Sequence, residues 1–338
     1  MRETQQSWQA PTSLSHPWES GTLSGSRREC CNHAIAIAPP CNFKTARFVI
    51  IVDVSGIEAW WAAGEQMPIT LGGAERAIFV RRLGAGSSMT LLHGFPSCSY
   101  DWATVAGPLA EHHALLIPDL LGFGASEKPT DHDYSIHEQA DLVEALWARE
   151  GVTATTIVAH DYSVTVTQEL LARRAEGALA VDLIEVHLLN GGLYPDLHRP
   201  EPVQTALLDP QQGPQISAGM TAETMAAALA PTFAPHFDHA AADADIWRAT
   251  ERGGVILHKL IAYIPDRRTH ERRWVQALET TDVPLAFVWG MLDPISGAHI
   301  GERIRHQIPA APFAALEDVG HWPPLESPER VTAAVLGG

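Results

Sequence analysis

Two candidate nucleophiles lie two positions apart in the segment TIVAHDYSVTVTQELL, which begins at Thr156: Asp161 and Ser163. A nucleophile on a sharp strand-to-helix turn is flanked by small residues two positions away on each side. Asp161 meets this requirement with Ala159 and Ser163, whereas Ser163 would have Asp161 on its strand side. The spacing therefore predicts Asp161 as the nucleophile and Ser163 as a small residue packed between helix and strand. A helix N-cap is the alternative role for Asp161.

Asp293 and His321 follow two later strand-like runs and would complete the reactive set. The segment VWGMLDPI places Asp293 just beyond one run, and EDVGHWPPLESPERV places His321 beyond the last one. Nucleophile, acid and histidine then occur in the chain order of hydrolases with a strand–turn–helix nucleophile. An aspartate, with an ordinary pKa of ~3.9, needs no base to attack saturated carbon and form an alkyl ester. His321, oriented by Asp293, would then activate water to hydrolyse that ester.

An oxyanion hole is predicted where the segment LLHGFPSCSYDW turns after a strand. The main-chain N–H of Phe95 in this turn and that of Tyr162, next to the nucleophile, would both point at the carbonyl oxygen of the ester. Such donors stabilise this oxygen when negative charge develops on it during hydrolysis. Phe95 and Tyr162 are therefore the predicted oxyanion-hole residues.

Short β-branched runs alternate with helical patterns from residue 57 onward, which predicts a mostly parallel sheet covered by helices on both faces. Helical patterns include Ile136–Glu150 and Val164–Glu176. The eight predicted strands are Ile69–Leu71, Ala77–Leu83, Met89–His93, Ala114–Pro118, Thr155–Ala159, Leu183–Leu189, Pro284–Trp289 and Pro312–Leu316.

The predicted fold is α/β, with an eight-stranded sheet and an inserted helical lid. Residues 192–281 have helical texture without a strand pattern and form the predicted lid. Residues 57–191 and 282–338 form the predicted core. Residues 1–56 lack convincing periodicity and are rich in Ser, Pro, Thr and Gly, so we expect a poorly ordered N-terminal extension there.

The composition excludes several classes of function. The 338 residues carry a formal net charge of −17, which opposes binding to nucleic acid or to an anionic membrane surface. The apolar run FVIIV is too short for a membrane span, and no secretory signal is recognisable. The four cysteines show neither a disulfide framework nor zinc-site spacing. We expect a cytoplasmic enzyme with no metal and no cofactor, whose partners are a small hydrophobic substrate and water. Whether the protein forms a homo-oligomer stays open.

These motifs together resemble the α/β-hydrolase superfamily, in particular its aspartate-nucleophile branch of epoxide hydrolases and haloalkane dehalogenases. Within that branch, the chain is most similar to the mesoderm-specific transcript protein-like hydrolases. The segments NGGLYPDLHRP, from Asn190, and LIAYIPDRRTHERRWVQAL, from Leu260, are similar to lid motifs of this subgroup. The resemblance covers roughly residues 57–338. Ser163 and Val164 stand where the subgroup has Gly and Asp, and both changes flank the nucleophile.

The resemblance implies different leaving groups for the two activities of this branch. Dehalogenases hold the halide with side-chain N–H groups of an Asn and a Trp, at positions that are Phe95 and Tyr162 here. Epoxide hydrolases donate a proton to the epoxide oxygen from lid tyrosines, for which Tyr263 is the first candidate and Tyr194 the second. The predicted function is therefore an epoxide hydrolase. The alternatives are a haloalkane dehalogenase, an ester or lactone hydrolase, or a non-catalytic binding protein on the same scaffold.

Overall fold

An eight-stranded sheet forms the centre of the computed structural model, which describes residues 56–337. The strand order is β1-β2-β4-β3-β5-β6-β7-β8. β2 is antiparallel to both of its neighbours, and every other adjacent pair is parallel. This sheet confirms the predicted fold class. The strands are β1 (Glu65–Leu71), β2 (Ala74–Leu83), β3 (Ser87–Leu92), β4 (His113–Pro118), β5 (Ala154–His160), β6 (Asp182–Leu189), β7 (Leu285–Gly290) and β8 (Phe313–Leu316).

Helices connect the strands and cover the sheet. Two short 3-10 helices, Ser99–Trp102 and Ala230–Thr232, complete the described elements. The α-helices are α1 (Ile57–Ala62), α2 (Ala103–Ala110), α3 (Ile136–Glu150), α4 (Tyr162–Ala175), α5 (Pro202–Leu207), α6 (Gln212–Ala218), α7 (Ala222–Leu229), α8 (Ala240–Glu251), α9 (Leu257–Leu260), α10 (Tyr263–Thr280), α11 (Ala298–Gln307), α12 (Pro323–Glu326) and α13 (Pro328–Val335).

The apolar side chains form two clusters, one on each face of the sheet. One cluster joins the sheet to α3, α4, α10 and α11, and the other joins it to α1, α2 and α13. Successive residues of β5, Ile157 and Val158, belong to different clusters because neighbouring side chains of a strand point to opposite faces. A strand buried on both sides is apolar along its whole length, which explains the continuous run in β5.

Helix α4 begins earlier than predicted. Its first residue is Tyr162 rather than Val164, and the predicted start is wrong by two positions. The chain enters the helix directly from Asp161, whose carbonyl accepts a hydrogen bond from the N–H of Val164 at 3.2 Å. The helix therefore starts immediately after the candidate nucleophile, so that the N-terminus of α4 lies beside the Asp161 carboxylate.

The interval between β6 and β7 contains helices α5 to α10, and no residue described there belongs to a strand. Helix α10 packs on α4 through polar as well as apolar contacts. The buried carboxylate of Glu169 accepts hydrogen bonds from Arg173 at 2.7 Å, from Trp274 Nε1 at 2.7 Å and from Arg273. The longest helix of this interval is therefore anchored to the helix that follows the nucleophile.

Some of the sequence predictions concern residues outside the described part of the chain. The N-terminal extension lies there apart from Gly56, as do Cys30, Cys31 and Cys41. Cys98 is a buried free thiol. Within residues 56–337, no helix has the length and apolarity required to cross a membrane.

Candidate active site

Asp161 occupies a sharp turn between β5 and α4. Its φ is 46°, and it is the only residue other than glycine with positive φ in the described part of the chain. Such a conformation persists only where its surroundings hold it. The N–H of Asp161 donates to the carbonyl of Asn190 at 2.9 Å, while its own carbonyl accepts from Val164. Two glycines leave space for the turn: a Cβ on Gly94 would lie 2.9 Å from Asp161 Cβ, and one on Gly191 would lie 2.7 Å from Asp161 O.

Ser163 lies on the first turn of α4 and is fully buried. Its hydroxyl donates a hydrogen bond to the main-chain carbonyl of His93, in the loop after β3. The side chain thus joins the helix to a neighbouring loop. It has the environment of a small packing residue, and the turn conformation belongs to Asp161.

The two carboxylate oxygens of Asp161 have different neighbours. Oδ2 accepts a hydrogen bond from the N–H of Phe95 at 2.9 Å. Oδ1 lies 3.7 Å from Nε2 of His321. Tyr162 follows Asp161 as the first residue of α4, and its ring is buried against the rings of Phe123 and Tyr263. The structure therefore brings one predicted main-chain donor, that of Phe95, onto the carboxylate; a role for the N–H of Tyr162 stays a prediction.

Asp293 holds the other side of the His321 imidazole. The Nδ1–H of His321 donates to Asp293 Oδ2 at 2.8 Å, which leaves Nε2 directed at Asp161. Asp293 also accepts hydrogen bonds from Asn190 Nδ2 at 2.9 Å, Ser296 Oγ at 3.0 Å and the N–H of Ile295 at 2.7 Å. These four donors fix the carboxylate, and through it the tautomer and orientation of the imidazole.

Burial and charge act in opposite directions on the pKa of each residue of the Asp293–His321 pair. Burial alone would raise the pKa of Asp293, but the charge and hydrogen bond of His321, together with Asn190, hold that pKa well below its ordinary value. Burial alone would lower the pKa of His321, but Asp293 and then Asp161 raise it to about 9. The two residues therefore form a buried ion pair next to Asp161.

Asn190 and His160 support the site and were not predicted. The Asn190 side chain donates to Asp293 and to the carbonyl of Gly290, and its main-chain carbonyl holds Asp161. His160 Nε2 donates to the main-chain carbonyl of His321 at 2.7 Å, and burial lowers the pKa of His160 to about 4. The NGG segment and the histidine immediately before Asp161 were the available signals, but neither indicates which distant groups these side chains contact.

Arg267 is the third residue that supports the site and was not predicted from the sequence. This arginine on α10 is almost fully buried and donates to the carbonyl of Asp161 at 3.3 Å. The helical spacing of the buried residues Tyr263, Arg267 and Trp274 places them on one face of α10. This spacing was the one local signal that distinguished Arg267 from the other charged residues in DRRTHERR.

A cavity opens onto Asp161 and His321 from the side of the helices α5 to α9. Its volume is about 50 Å³, which is more than the space that a single water molecule needs. The polar lining consists of Asp161, His321, Glu201, Gln204 and Thr232. Most of the remaining wall is apolar and includes Leu207, Met225, Leu229, Leu257, Ile295 and Trp322.

The two candidate tyrosines have different positions. Tyr263 is buried beside Phe95 and Tyr162, with its ring centroid 5.8 Å from that of Phe95. Its hydroxyl accepts a hydrogen bond from Gln204 Nε2 at 3.3 Å. Gln204 lines the cavity, whereas the Tyr263 ring lies behind it. Tyr194 does not reach the cavity, and Arg303 lies over its ring at 5.1 Å. Neither tyrosine is among the residues that line the cavity, so a proton-donor role stays a prediction for both of them. The loop after β6 directs Tyr194 towards α11.

The described residues offer no obvious site for a metal ion. No group of three or more His, Cys, Asp or Glu side chains within them is arranged to hold one. The acidic and imidazole groups at Asp161 are instead paired with each other and with main-chain donors. The arrangement presents a carboxylate, a main-chain donor on one of its oxygens, and an oriented imidazole facing the other.

Comparisons with known proteins agree with the observed fold. Residues 88–328 match the family model described as alpha/beta hydrolase fold. The mesoderm-specific transcript homolog protein of Bos taurus is 35% identical over 267 residues, covering 75% of this chain and 79% of that protein. The protein named "Putative hydrolase LipZ" of Mycobacterium tuberculosis is 34% identical over 285 residues, covering 83% of this chain and 96% of that protein. An alpha/beta hydrolase fold protein from Burkholderia ambifaria has a similar crystal structure, with a TM-score of 0.65 at 24% identity, over 81% of this chain and 100% of that one.

Proposed function

The chain belongs to the α/β-hydrolase family, and we propose that it is a hydrolase in which Asp161 is a covalent nucleophile, acting on a small apolar epoxide. The observation that carries the proposal is the environment of the Asp161 carboxylate. This carboxylate occupies the turn between β5 and α4, with Phe95 N–H on Oδ2 and the His321 imidazole facing Oδ1. Ser163, the other candidate, has its hydroxyl bonded to the His93 carbonyl.

In the first step, a carboxylate oxygen of Asp161 attacks a ring carbon of the epoxide. The carbon–oxygen bond of the ring breaks, and its electron pair stays on the departing oxygen, which takes a proton. The product is an alkyl ester of Asp161 with a neighbouring hydroxyl group. Tyr263 is the proposed proton donor, because its oxygen accepts from Gln204 and its own proton stays free to be donated.

In the second step, His321 takes a proton from water as the water oxygen adds to Cγ of Asp161. The resulting oxyanion lies on a carboxylate oxygen and is stabilised by the Phe95 N–H, with the Tyr162 N–H as the proposed second donor. Collapse of the tetrahedral intermediate releases the diol, whose oxygen receives the proton from His321. The second proton of the water leaves the Asp161 carboxyl group and returns to Tyr263. The carboxylate is then restored with one oxygen derived from water.

The cavity supports a small, apolar substrate. Its wall is largely aliphatic and aromatic, which favours hydrocarbon groups over charged ones. Phe95 and Tyr162 carry no side-chain N–H of the kind that binds a departing halide. This difference from dehalogenases supports an epoxide over a haloalkane.

A single-turnover experiment in water enriched in oxygen-18 tests the covalent mechanism. Purified protein is first incubated with styrene oxide, 1-bromobutane and p-nitrophenyl butyrate to find a substrate. Protein in excess over that substrate then converts it once. Attack by Asp161 yields an unlabelled first product and one heavy oxygen in the Asp161 side chain, detected by peptide mass spectrometry. A labelled first product with an unlabelled Asp161 would show direct attack by water, which would contradict the proposal.

A further inference from the structure

Arg267 lies on α10 directly against the first turn of α4. Its side chain is only 1% exposed. Nε donates to Thr165 Oγ1 at 2.6 Å, and Nη2 donates to the main-chain carbonyl of Asp161 at 3.3 Å. Thr165 and Asp161 are one helical turn apart, so the guanidinium bridges the turn that carries the candidate nucleophile. An arginine of the inserted helical segment thus contacts the backbone of Asp161.

The charge of Arg267 has no conventional partner. None of the carboxylates in the described residues forms an ion pair with it, and its Nη1 has no hydrogen-bond partner there. The Tyr263 ring lies over the guanidinium at 4.5 Å. Burial lowers the pKa of Arg267, while Tyr263 and Asp161 oppose this change. A guanidinium stays charged in proteins, and a buried cation without an ionic partner destabilises the fold.

We propose that Arg267 is a positioning residue that holds the Asp161 turn and whose charge selectively accelerates the hydrolysis of the Asp161 ester. This inference rests on the proposed function. Negative charge at Asp161 disappears when the ester forms and returns when the tetrahedral oxyanion forms. A nearby fixed cation therefore stabilises the transition state of the second step relative to the neutral ester. It gives no such advantage to ester formation, which starts from the charged carboxylate.

The test compares Arg267→Gln, Arg267→Lys and the control Arg303→Gln. Glutamine retains an N–H donor without the charge, and lysine retains the charge without the planar guanidinium. Arg303 also lies over a tyrosine ring but contacts Tyr194, away from Asp161. Rapid mixing of each variant with the epoxide accepted by the wild type, followed by intact-mass measurement, gives the rates of ester formation and ester hydrolysis separately.

We expect Arg267→Gln to slow ester hydrolysis by roughly 10- to 100-fold, so that the ester accumulates, while ester formation is not slowed. Arg267→Lys should hydrolyse the ester within about tenfold of the wild type, and Arg303→Gln should match the wild type. Hydrolysis at the wild-type rate in Arg267→Gln would overturn the proposal. Equal slowing of both steps in Arg267→Gln and Arg267→Lys would also overturn it, because loss of the turn geometry would then explain the effect.

The proposed function and this inference fail in distinguishable ways. If Asp161 is not a covalent nucleophile, no ester mass appears in any variant, including His321→Gln. If only the Arg267 inference is wrong, the ester appears in His321→Gln but does not accumulate in Arg267→Gln. Circular dichroism of each variant establishes that the fold is retained. If Arg267→Gln does not fold, Arg267→Lys provides the test, because it retains the charge. Ester hydrolysis more than about tenfold slower than in the wild type would contradict the proposal. A rate within tenfold of the wild type would support it.

Discussion

Nε2 of His321 and Oδ1 of Asp161 face each other at 3.7 Å, beyond the length of a hydrogen bond. On its other side, the imidazole is held by Asp293 at 2.8 Å. His321 is therefore oriented by Asp293 without being hydrogen-bonded to the candidate nucleophile. It can take a proton from a molecule that approaches the Asp161 carboxyl carbon.

The pH dependence of ester hydrolysis should differ from the titration of the free enzyme. Burial lowers the pKa of His321, but Asp293 and Asp161 together raise it to about 9. Ester formation removes the charge of Asp161 and with it one of the two raising influences. We therefore expect hydrolysis, which needs neutral His321, to rise with pH through a pKa below about 9. NMR titration of the free enzyme should instead give His321 a pKa near 9. Identical values in the two states would contradict the proposed coupling.

Asp161→Asn should abolish most of the activity, whereas Ser163→Ala should retain it. Asparagine has nearly the same shape but is a poor nucleophile, so we expect kcat to fall by a factor on the order of 10⁴ or more. Ser163→Ala removes a buried hydroxyl that donates to the His93 carbonyl, which should cost about 1–3 kcal/mol in the free energy of unfolding while activity is retained. Steady-state kinetics and denaturant unfolding measure both. Loss of activity in a folded Ser163→Ala, together with an active Asp161→Asn, would reverse the assignment.

Tyr263→Phe should slow epoxide turnover by about one to a few powers of ten, since it removes a proton donor. Hydrolysis of p-nitrophenyl butyrate, where the Phe95 N–H supports the oxyanion, should be unaffected. Tyr194→Phe is the matched control, because Tyr194 is also buried but has Arg303 of α11 over its ring, whereas Tyr263 lies beside Phe95. Equal losses on both substrates would indicate that Tyr263 only packs beside Phe95 and Tyr162, and full epoxide activity would remove it from the mechanism.

Gly94→Ala should impair the site, whereas Gly107→Ala should not. An added Cβ at Gly94 would lie 2.9 Å from Asp161 Cβ and 3.0 Å from His160 Nδ1, so the turn must shift. A displacement of roughly 1 Å at a reactive centre can cost ~10²-fold in rate. Gly107 lies in α2, away from Asp161, and outside its own helix and chain neighbours no atom lies within 4 Å of an added Cβ, so alanine there should leave activity unchanged. Wild-type activity in Gly94→Ala would show that the packing around Asp161 is not critical.

Sequence alone was sufficient for the parts of the site that depend on local order. Asp161, Asp293 and His321 each follow the end of a strand, and parallel strands bring such ends to one edge of a sheet. All eight predicted strands are present, because the local sequence also determines them: their apolar runs are short, continuous and separated by turns or helices.

The rest of the site depends on contacts between distant segments. Arg267 lies 106 positions after the residue whose carbonyl it binds, and the exposed Arg268 beside it is chemically identical. Tyr194 was predicted as the second candidate proton donor, but its direction depends on how the loop after β6 packs against α11. No local pattern encodes that packing. The apolar helical pattern was sufficient to rank Tyr263 first, but the direction of Tyr194 could not be predicted from the sequence.

The most direct test of the central claim is the intact mass of His321→Gln after incubation with a substrate that the wild type converts. Glutamine cannot act as the base for water, so the Asp161 ester should form and persist. We predict a mass equal to the protein plus one substrate, with the modification on the peptide containing Asp161, and no adduct in the double variant Asp161→Asn/His321→Gln. An unmodified His321→Gln, or an adduct on any other residue, would contradict covalent catalysis by Asp161.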